Sequence, residues 1–377
     1  MTSLFGRAFI DGAIQDDVLV TIDGYAITDV TRVARPPVGS QRISGILVPG
    51  FIDVHLHGGD GADFMDAVDA PIARILSFHA RHGTTALAAT TLSASASDLR
   101  NAIEAISRVS ANRPQGAEIV AVHLEGPFIN AQRAGAQNRA SIRAADIHEL
   151  ATFIAHAPRL RWIVTLAPEV AGARDLIAHF RERVRFSIGH TAADYATTVA
   201  ALEWGAAHFT HLFNGMTPLH HRDPGVVGAA LASLDATAEL IADGVHVHPA
   251  ALRIAAQCMP KRIALITDAM RACGLADGTY KLYENDVTVA AGVARLADGT
   301  LAGSALTLAR AVRNMTELAC LPLESVIQMA TEVPARIAGV ADRKGRLSPG
   351  YDADLVVLSE QLDVERVWVR GHEMDGV

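Results

Sequence analysis

Cysteine is scarce. There are three in 377 residues, Cys258, Cys273 and Cys320, odd in number and far apart. They make no disulfide framework and no Cys-x-x-Cys metal pair, and a reduced cytoplasm is the setting they fit. Long apolar runs are also missing. No stretch of roughly eighteen or more apolar residues occurs, so no membrane span is expected. The opening residues, MTSLFGRAFIDG, lack a basic segment followed by an apolar one, so no secretory signal is expected either. Positive charge is not in excess. The formal net charge of −8 argues against nonspecific affinity for nucleic acid or anionic membrane, because both need a basic field. A small anionic substrate stays open, since a local pocket can oppose the global sign.

Half of the residues are hydrophobic and a fifth are charged, the profile of a globular enzyme with ample material for a large core. Residues 1–46 read as short alternating strands, Leu4–Ile10, Val18–Ile22 and Ala26–Val33, punctuated by Gly, Asp and Pro. From Ile46 to about residue 270 the pattern changes, and short apolar runs alternate with helical segments. Eight strands are expected: Phe51–Leu56, Thr85–Thr90, Ile119–Leu124, Trp162–Leu166, Arg185–Ile188, His208–Leu212, Glu239–Ala242 and Ile263–Thr267. Helices are expected between them, with the clearest periodicity in Asp98–Val109 and Ala250–Met259. Eightfold strand–helix alternation predicts an α/β fold, a (β/α)8 TIM-like barrel. Further helices are expected at Ser304–Leu318, Leu323–Ala330 and Pro334–Ala338, and strands at Thr279–Leu296 and in the tail. The expected domains are a barrel over 47–349 and a small β-sandwich domain built from 1–46 and 350–377, plus part of 279–300.

In such a barrel the chemistry sits where strands end and the following loops begin. The first strand ends in His55-Leu-His57 and the third in His123-Leu-Glu125. The fifth ends in Gly189-His190, the sixth in His211-Leu-Phe-Asn214, the seventh in Asp243-Gly-Val-His246 and the eighth in Thr267-Asp268. A lone histidine at a strand end is more often structural than catalytic. Polar ligand types at six strand ends are not what a packing core requires. Imidazole and carboxylate together suit zinc, iron and related divalent metals. Glu125, His190 and His211 are the expected core ligands, leaving a coordination position for a water whose pKa the metal lowers. His55 and His57 alternate on one strand and can point at one face. They either hold a second ion or bind water beside a single one. Asp268 is the expected general base and acid.

These motifs, together with Pro49-Gly-Phe-Ile-Asp-Val, Gly126-Pro-Phe, Gly215-Met, Leu301-Ala-Gly-Ser and Val333-Pro-Ala-Arg, resemble the N-acetylglucosamine-6-phosphate deacetylase family of the amidohydrolase superfamily. The match runs in order over nearly the whole chain. The resemblance implies removal of acetate from the 2-acetamido group of a phosphorylated amino sugar. It implies Glu125, His190 and His211 on the metal, with Asp268 as catalytic acid and base. It also implies sugar or phosphate contacts from Asn214, Gly215, Arg222 and His246, with Leu301, Ala302 and Gly303 lining the pocket. Members are commonly homodimers in which the counterpart of Arg222 reaches into the partner's site. A guanidinium grips phosphate with two parallel hydrogen bonds, although a surface pair with Asp223 is the plainer reading of that loop. No Walker-type phosphate loop is present.

One departure stands out. The family usually reads Gly-x-His in the loop after the metal-binding glutamate, where this chain has Gly135-Ala136-Gln137. The family histidine helps polarise the substrate carbonyl. Gln137 can donate a hydrogen bond but cannot carry charge or transfer a proton. Ala136 and Gln137 are therefore expected beside the substrate, with metal and substrate binding intact and turnover reduced. Two rival readings remain. One is another amidohydrolase acting on a different amide. Dihydroorotase-like members often carry a bridging lysine at the end of strand four, but here Thr165-Leu-Ala-Pro-Glu169 has none. The other is a catalytically weak binding homologue.

Overall fold

A computed structural model describes residues 1–377. Its centre is a sheet of eight parallel strands, each paired with its sequence neighbours: Phe51–Leu56, Thr84–Thr91, Glu118–Glu125, Arg161–Leu166, Val184–Ile188, His208–Phe209, Thr237–Ile241 and Ile263–Ile266. These runs are buried on both faces, which is why they read as continuous apolar segments rather than alternating ones. The eighth strand closes against the first. The Asp268 N–H donates to the His55 carbonyl at 2.9 Å and the His57 N–H to the Ala269 carbonyl at 2.8 Å. Buried Asp53 reinforces the seam by accepting the Thr267 hydroxyl at 2.6 Å and the His55 backbone N–H at 3.2 Å. The (β/α)8 barrel is the architecture expected from the strand–helix alternation.

Helices wrap the barrel with one apolar stripe inward. In Ala96–Asn112 the residues Leu99, Ala102, Ile103, Ile106 and Val109 are buried, and the Ser95 hydroxyl caps the first turn by accepting from Asp98 N. Each fully buried Leu or Ile of such a stripe contributes roughly 1.5–3 kcal/mol. One helix was not foreseen. Gly225–Ala232, sequence GVVGAALA, is apolar all round with two glycines, so no stripe marks it.

Both chain ends build the second domain, a seven-stranded mixed sheet. Its order is His372–Glu373, Val364–Val369, Leu355–Leu358, Gln41–Pro49, Thr2–Ile10, Ala13–Asp23, Ala26–Arg32. Adjacent residues serve different cores. Ile43 and Leu47 join a 13-residue cluster inside this domain, whereas Ile46 and Val48 join the 92-residue barrel core. Period-two alternation thus welds the sheet to the barrel by one face.

Three expectations need correction. Gln41–Pro49 is a strand that continues the end domain past residue 46. The strands Gly278–Leu282, Asn285–Ala290 and Val293–Arg295 form a sheet of their own rather than joining the end domain. They pack through Leu282, Val287, Val289 and Ala294 onto Leu92, Met270 and Ala302. The helix expected from Ser304 begins at Leu308. Ser304 is instead tied to the eighth strand, its N–H donating to the Asp268 carbonyl at 2.8 Å and its hydroxyl to the Thr267 carbonyl at 2.6 Å. That tie brings Leu301–Gly303 to the end of the barrel where the strands finish.

Candidate active site

Five strand ends, the first, third, fifth, sixth and eighth, converge on one buried cluster centred on Glu125. Glu125 Oε1 lies 3.1 Å from His190 Nε2, 3.2 Å from His211 Nε2 and 3.3 Å from His55 Nε2. Its Oε2 lies 3.3 Å from His57 Nε2 and accepts the Gln137 amide at 2.6 Å. Asp268 Oδ1 is 3.2 Å from His57 Nε2 and 3.7 Å from His55 Nε2. All five predicted ligands and Asp268 therefore share one buried cluster. Two overlapping groups, His55–His57–Glu125 and Glu125–His190–His211, bring their ligand atoms within 4.8 Å of one another, close enough to hold a metal ion.

The backbone is strained where it aims these groups. His190, His211 and Asp268 have φ of 47°, 29° and 49°, left-handed values unusual outside glycine. Such conformations cost of order 1–3 kcal/mol each and persist only where surrounding structure holds them. The turn at His211 also explains why the sixth strand pairs only over His208–Phe209 and not to Leu212.

Electrostatics favour positive charge at the centre. Burial pushes an imidazole down, and in His123, with the charge of neighbouring His55 adding to it, the pKa falls to about 3. In His55 and His57 burial is outweighed by the neighbouring carboxylates. His55 is held well above its usual range by Glu125 and Glu239, and His57 rises to about 9 beside Asp268 and Glu125. Glu125 and Asp268 shift the other way, well below and below the usual carboxylate range, because the surrounding imidazoles outweigh their burial.

The donor set fits a divalent ion. His190 Nδ1 sits 2.8 Å from the Arg133 carbonyl, which can only accept, so its proton is on Nδ1 and the Nε2 lone pair faces Glu125. His55 Nε2 is buried without any hydrogen-bond partner. His190 Nε2 and His211 Nε2 stand 3.1 Å apart, an arrangement that a shared cation satisfies. His123 takes no part. Its two nitrogens are occupied by the Val54 carbonyl at 2.9 Å and the Thr165 hydroxyl at 2.7 Å.

A cavity of about 360 Å³ opens onto this cluster. His57, Glu125, His190, His211, Asp268, Ala136, Gln137, Asn214, Gly215, His246, Leu301 and Gly303 all line it. Ala302 is instead buried in the apolar cluster behind the wall. His246 is oriented by Asp243, 2.6 Å from its Nδ1; that carboxylate outweighs burial and raises the imidazole's pKa. Arg222 is not brought to the cavity of its own chain. It is exposed, its Nη1 2.9 Å from His221 Nε2, and it makes no salt bridge with Asp223. Three groups were not singled out in the sequence. Arg295 and Thr300 line the cavity from the small three-stranded sheet and the turn after it. Glu239 is fully buried behind His55, 2.9 Å from its Nδ1. A carboxylate inside an otherwise apolar barrel strand was the available signal for Glu239.

The profile of the amidohydrolase family matches residues 46–374. The chain belongs to the amidohydrolase family. Among characterised relatives, this amidohydrolase is 40% identical to N-acetylgalactosamine-6-phosphate deacetylase of Escherichia coli O157:H7, over 96% of this chain and 95% of that one. It is 41% identical to N-acetylglucosamine-6-phosphate deacetylase of Bacillus subtilis strain 168, over 93% and 90%. The fold superimposes with a TM-score of 0.94 on N-acetyl-D-glucosamine-6-phosphate deacetylase of Mycobacterium smegmatis, a mutant solved with N-acetyl-D-glucosamine 6-phosphate. Identity there is 35% and coverage 99% of both chains. No helix is long and apolar enough to cross a membrane, and all three cysteines are free thiols.

Proposed function

We propose that the protein hydrolyses the acetamido group of N-acetyl-D-glucosamine 6-phosphate, giving glucosamine 6-phosphate and acetate. The reading rests on one arrangement: four imidazole Nε2 atoms within 3.3 Å of Glu125, beside Asp268, at the mouth of a cavity. The names and coverage of the relatives support the substrate class.

Glu125, His190 and His211 would hold one divalent ion, and His55 and His57 with Glu125 a second. The mixed imidazole and carboxylate donors suit zinc or iron. Such an ion acidifies a water and polarises an amide carbonyl. Asp268 takes a proton from the attacking water as its oxygen bonds to the acetyl carbon. It then delivers that proton to the sugar nitrogen as the carbon–nitrogen bond breaks. Gln137 lies at the cavity wall as a neutral donor toward the carbonyl side. His246, Asn214, Gly215 and the Leu301–Gly303 segment orient the sugar. Arg222, turned away from its own cavity, would serve the neighbouring site of a homodimer in the cytoplasm.

The test is acetate release from a panel of N-acetylated sugars, with and without a 6-phosphate, after reconstitution with zinc or iron. The expected result is release that depends on metal and on the phosphate, with the gluco epimer turned over faster than the galacto one. Release from the galacto epimer alone would move the activity to that substrate. No release from any member of the panel by metal-loaded protein would overturn the proposal.

A further inference from the structure

We infer that Glu239 is the positioning residue of the metal centre: it fixes His55 through Nδ1 and so determines whether an ion is retained between His55, His57 and Glu125. The inference rests on the metal-centred reading of the site.

Glu239 lies on the seventh barrel strand, fully buried and outside the cavity, so it touches no substrate. Its Oε2 sits 2.9 Å from His55 Nδ1 and accepts the His211 backbone N–H at 3.0 Å. Its Oε1 is 3.0 Å from His208 Nε2, and His208 Nδ1 is in turn 2.8 Å from the Thr237 hydroxyl. An ionised carboxylate only accepts, so the His55 proton is placed on Nδ1. The Nε2 lone pair is left facing Glu125 Oε1 at 3.3 Å and Asp268 Oδ1 at 3.7 Å. One buried side chain thus orients a ligand of one group and the backbone of a ligand of the other.

No other residue does this for His55. Asp53 accepts its backbone N–H, which holds the main chain and leaves the ring free to turn. His123 packs its ring 4.5 Å away without a hydrogen bond to it. His55, His123 and Glu239 also lie close enough together to be considered as a metal group. Both nitrogens of His123 are already engaged, so Glu239 acts through His55 and not as a ligand. His57 Nδ1 has no partner. On the His55–His57 side, orientation therefore comes from Glu239 alone. Removing a carboxylate behind a ligating histidine typically lowers metal affinity about 10–100-fold.

The test is zinc titration of the metal-stripped full chain against a chromophoric chelator, with the visible spectrum of the cobalt form as a second readout. The parent is expected to bind two equivalents. Glu239→Ala is expected to bind the ion held by His55 and His57 about 10–100-fold more weakly, and to weaken the other, whose ligand His211 it meets only through the backbone N–H, by clearly less. Glu239→Gln, whose amide oxygen can still accept from His55 Nδ1, is expected to restore part of that loss. Should Glu239→Ala fail to fold by circular dichroism, Glu239→Gln takes its place: weakening of one equivalent clearly more than the other supports the inference, and parental binding of both overturns it. A folded Glu239→Ala that binds both equivalents as the parent does overturns the inference, as does equal weakening of both. So does a parent that binds a single equivalent indifferent to His55→Ala, although acetate release would then still stand. Two bound ions without acetate release would overturn the hydrolase reading and leave the role of Glu239 intact.

Discussion

Gln137 bridges Ser93 and Glu125 in an orientation its neighbours dictate. Its Oε1 accepts the Ser93 backbone N–H at 2.6 Å, so its amide nitrogen faces Glu125 Oε2, also at 2.6 Å. The side chain is buried, is held at both ends, belongs to a residue that lines the cavity, and has a second amide N–H beyond the one that meets Glu125. The amide holds the shared carboxylate in place and, in the proposed reaction, would keep a neutral donor beside the substrate carbonyl.

Gln137→Leu removes that donor at similar volume. Losing one donor to a developing oxyanion costs about 10²–10³ in rate. The expected outcome is a fall in kcat for acetate release of that order, with metal content per chain unchanged. Metal loss in parallel with activity would mean that the lost hold on Glu125, and not the lost donor, accounts for the fall. Gln137→His, which can be protonated, is expected to turn over faster than the parent; equal kcat would remove the side chain from the reacting centre.

Asp268 offers a cleaner substitution than most acids. Its backbone is left-handed, at φ 49°, a region that Asn tolerates better than other non-glycine residues. Asp268→Asn therefore preserves the turn while abolishing proton transfer. The expected kcat falls about 10²–10⁴-fold. KM and the ion on Glu125, His190 and His211 are expected to be retained. Steady-state kinetics with elemental analysis check both, and a variant of parental kcat would take Asp268 out of the proton path.

The strands of the barrel were legible because parallel strands buried on both faces read as short apolar runs, and the candidate site residues sit at or just past the ends of such runs, as His190 follows Phe186–Ile188 across Gly189. The convergence of His55, His57, Glu125, His190, His211 and Asp268 on one cluster was legible for the same reason. What escaped depends on tertiary placement. Arg295 belongs to a sheet whose sequence reads as ordinary surface strands, and only its packing on Leu92 and Met270 carries it over the cavity. Glu239 faces inward on a strand, where its partners come from the first and sixth strands, distant in sequence. The direction of Arg222 is decided by a loop between His211 and Gly225, not by a periodic element.

The phosphate needs a cation, and within one chain Arg295 is a cavity-lining candidate. Hydrogen bonds to charged groups are worth roughly 1.5–3 kcal/mol, or about 10–100-fold in binding. Arg295→Met is expected to raise KM for the phosphorylated sugar within that range and to leave the unphosphorylated sugar unaffected. Arg222→Met is expected to act the same way if a partner's arginine completes the site. Kinetics on the two sugars, paired with molecular mass in solution, separate the contributions. Equal effects on both sugars would mean that neither arginine reads the phosphate.

Behind the His55-Leu-His57 turn lies a group that ties site stability to pH. His79 is fully buried, and its Nε2 sits 2.9 Å from the Gly58 carbonyl. A Cβ added at Gly59 would lie 2.8 Å from that same nitrogen, so the imidazole is wedged against the backbone that carries His57. Burial, reinforced by neighbouring His82, lowers its pKa from 6.5 to about 4. The folded state therefore binds the proton less readily than the unfolded chain. Its contribution to stability is complete above pH 6.5, declines as pH falls through the interval to about 4, and is fully lost below that. By linkage the loss reaches ~3 kcal/mol at its limit. His79→Gln retains a donor for the Gly58 carbonyl but has nothing to titrate. Thermal unfolding of both proteins from pH 7.5 down to about 4.5 should show the parent losing stability more steeply than the variant across this window. Parallel slopes for the two would mean that folding leaves the pKa of His79 unchanged, and the acid sensitivity would then belong to other groups.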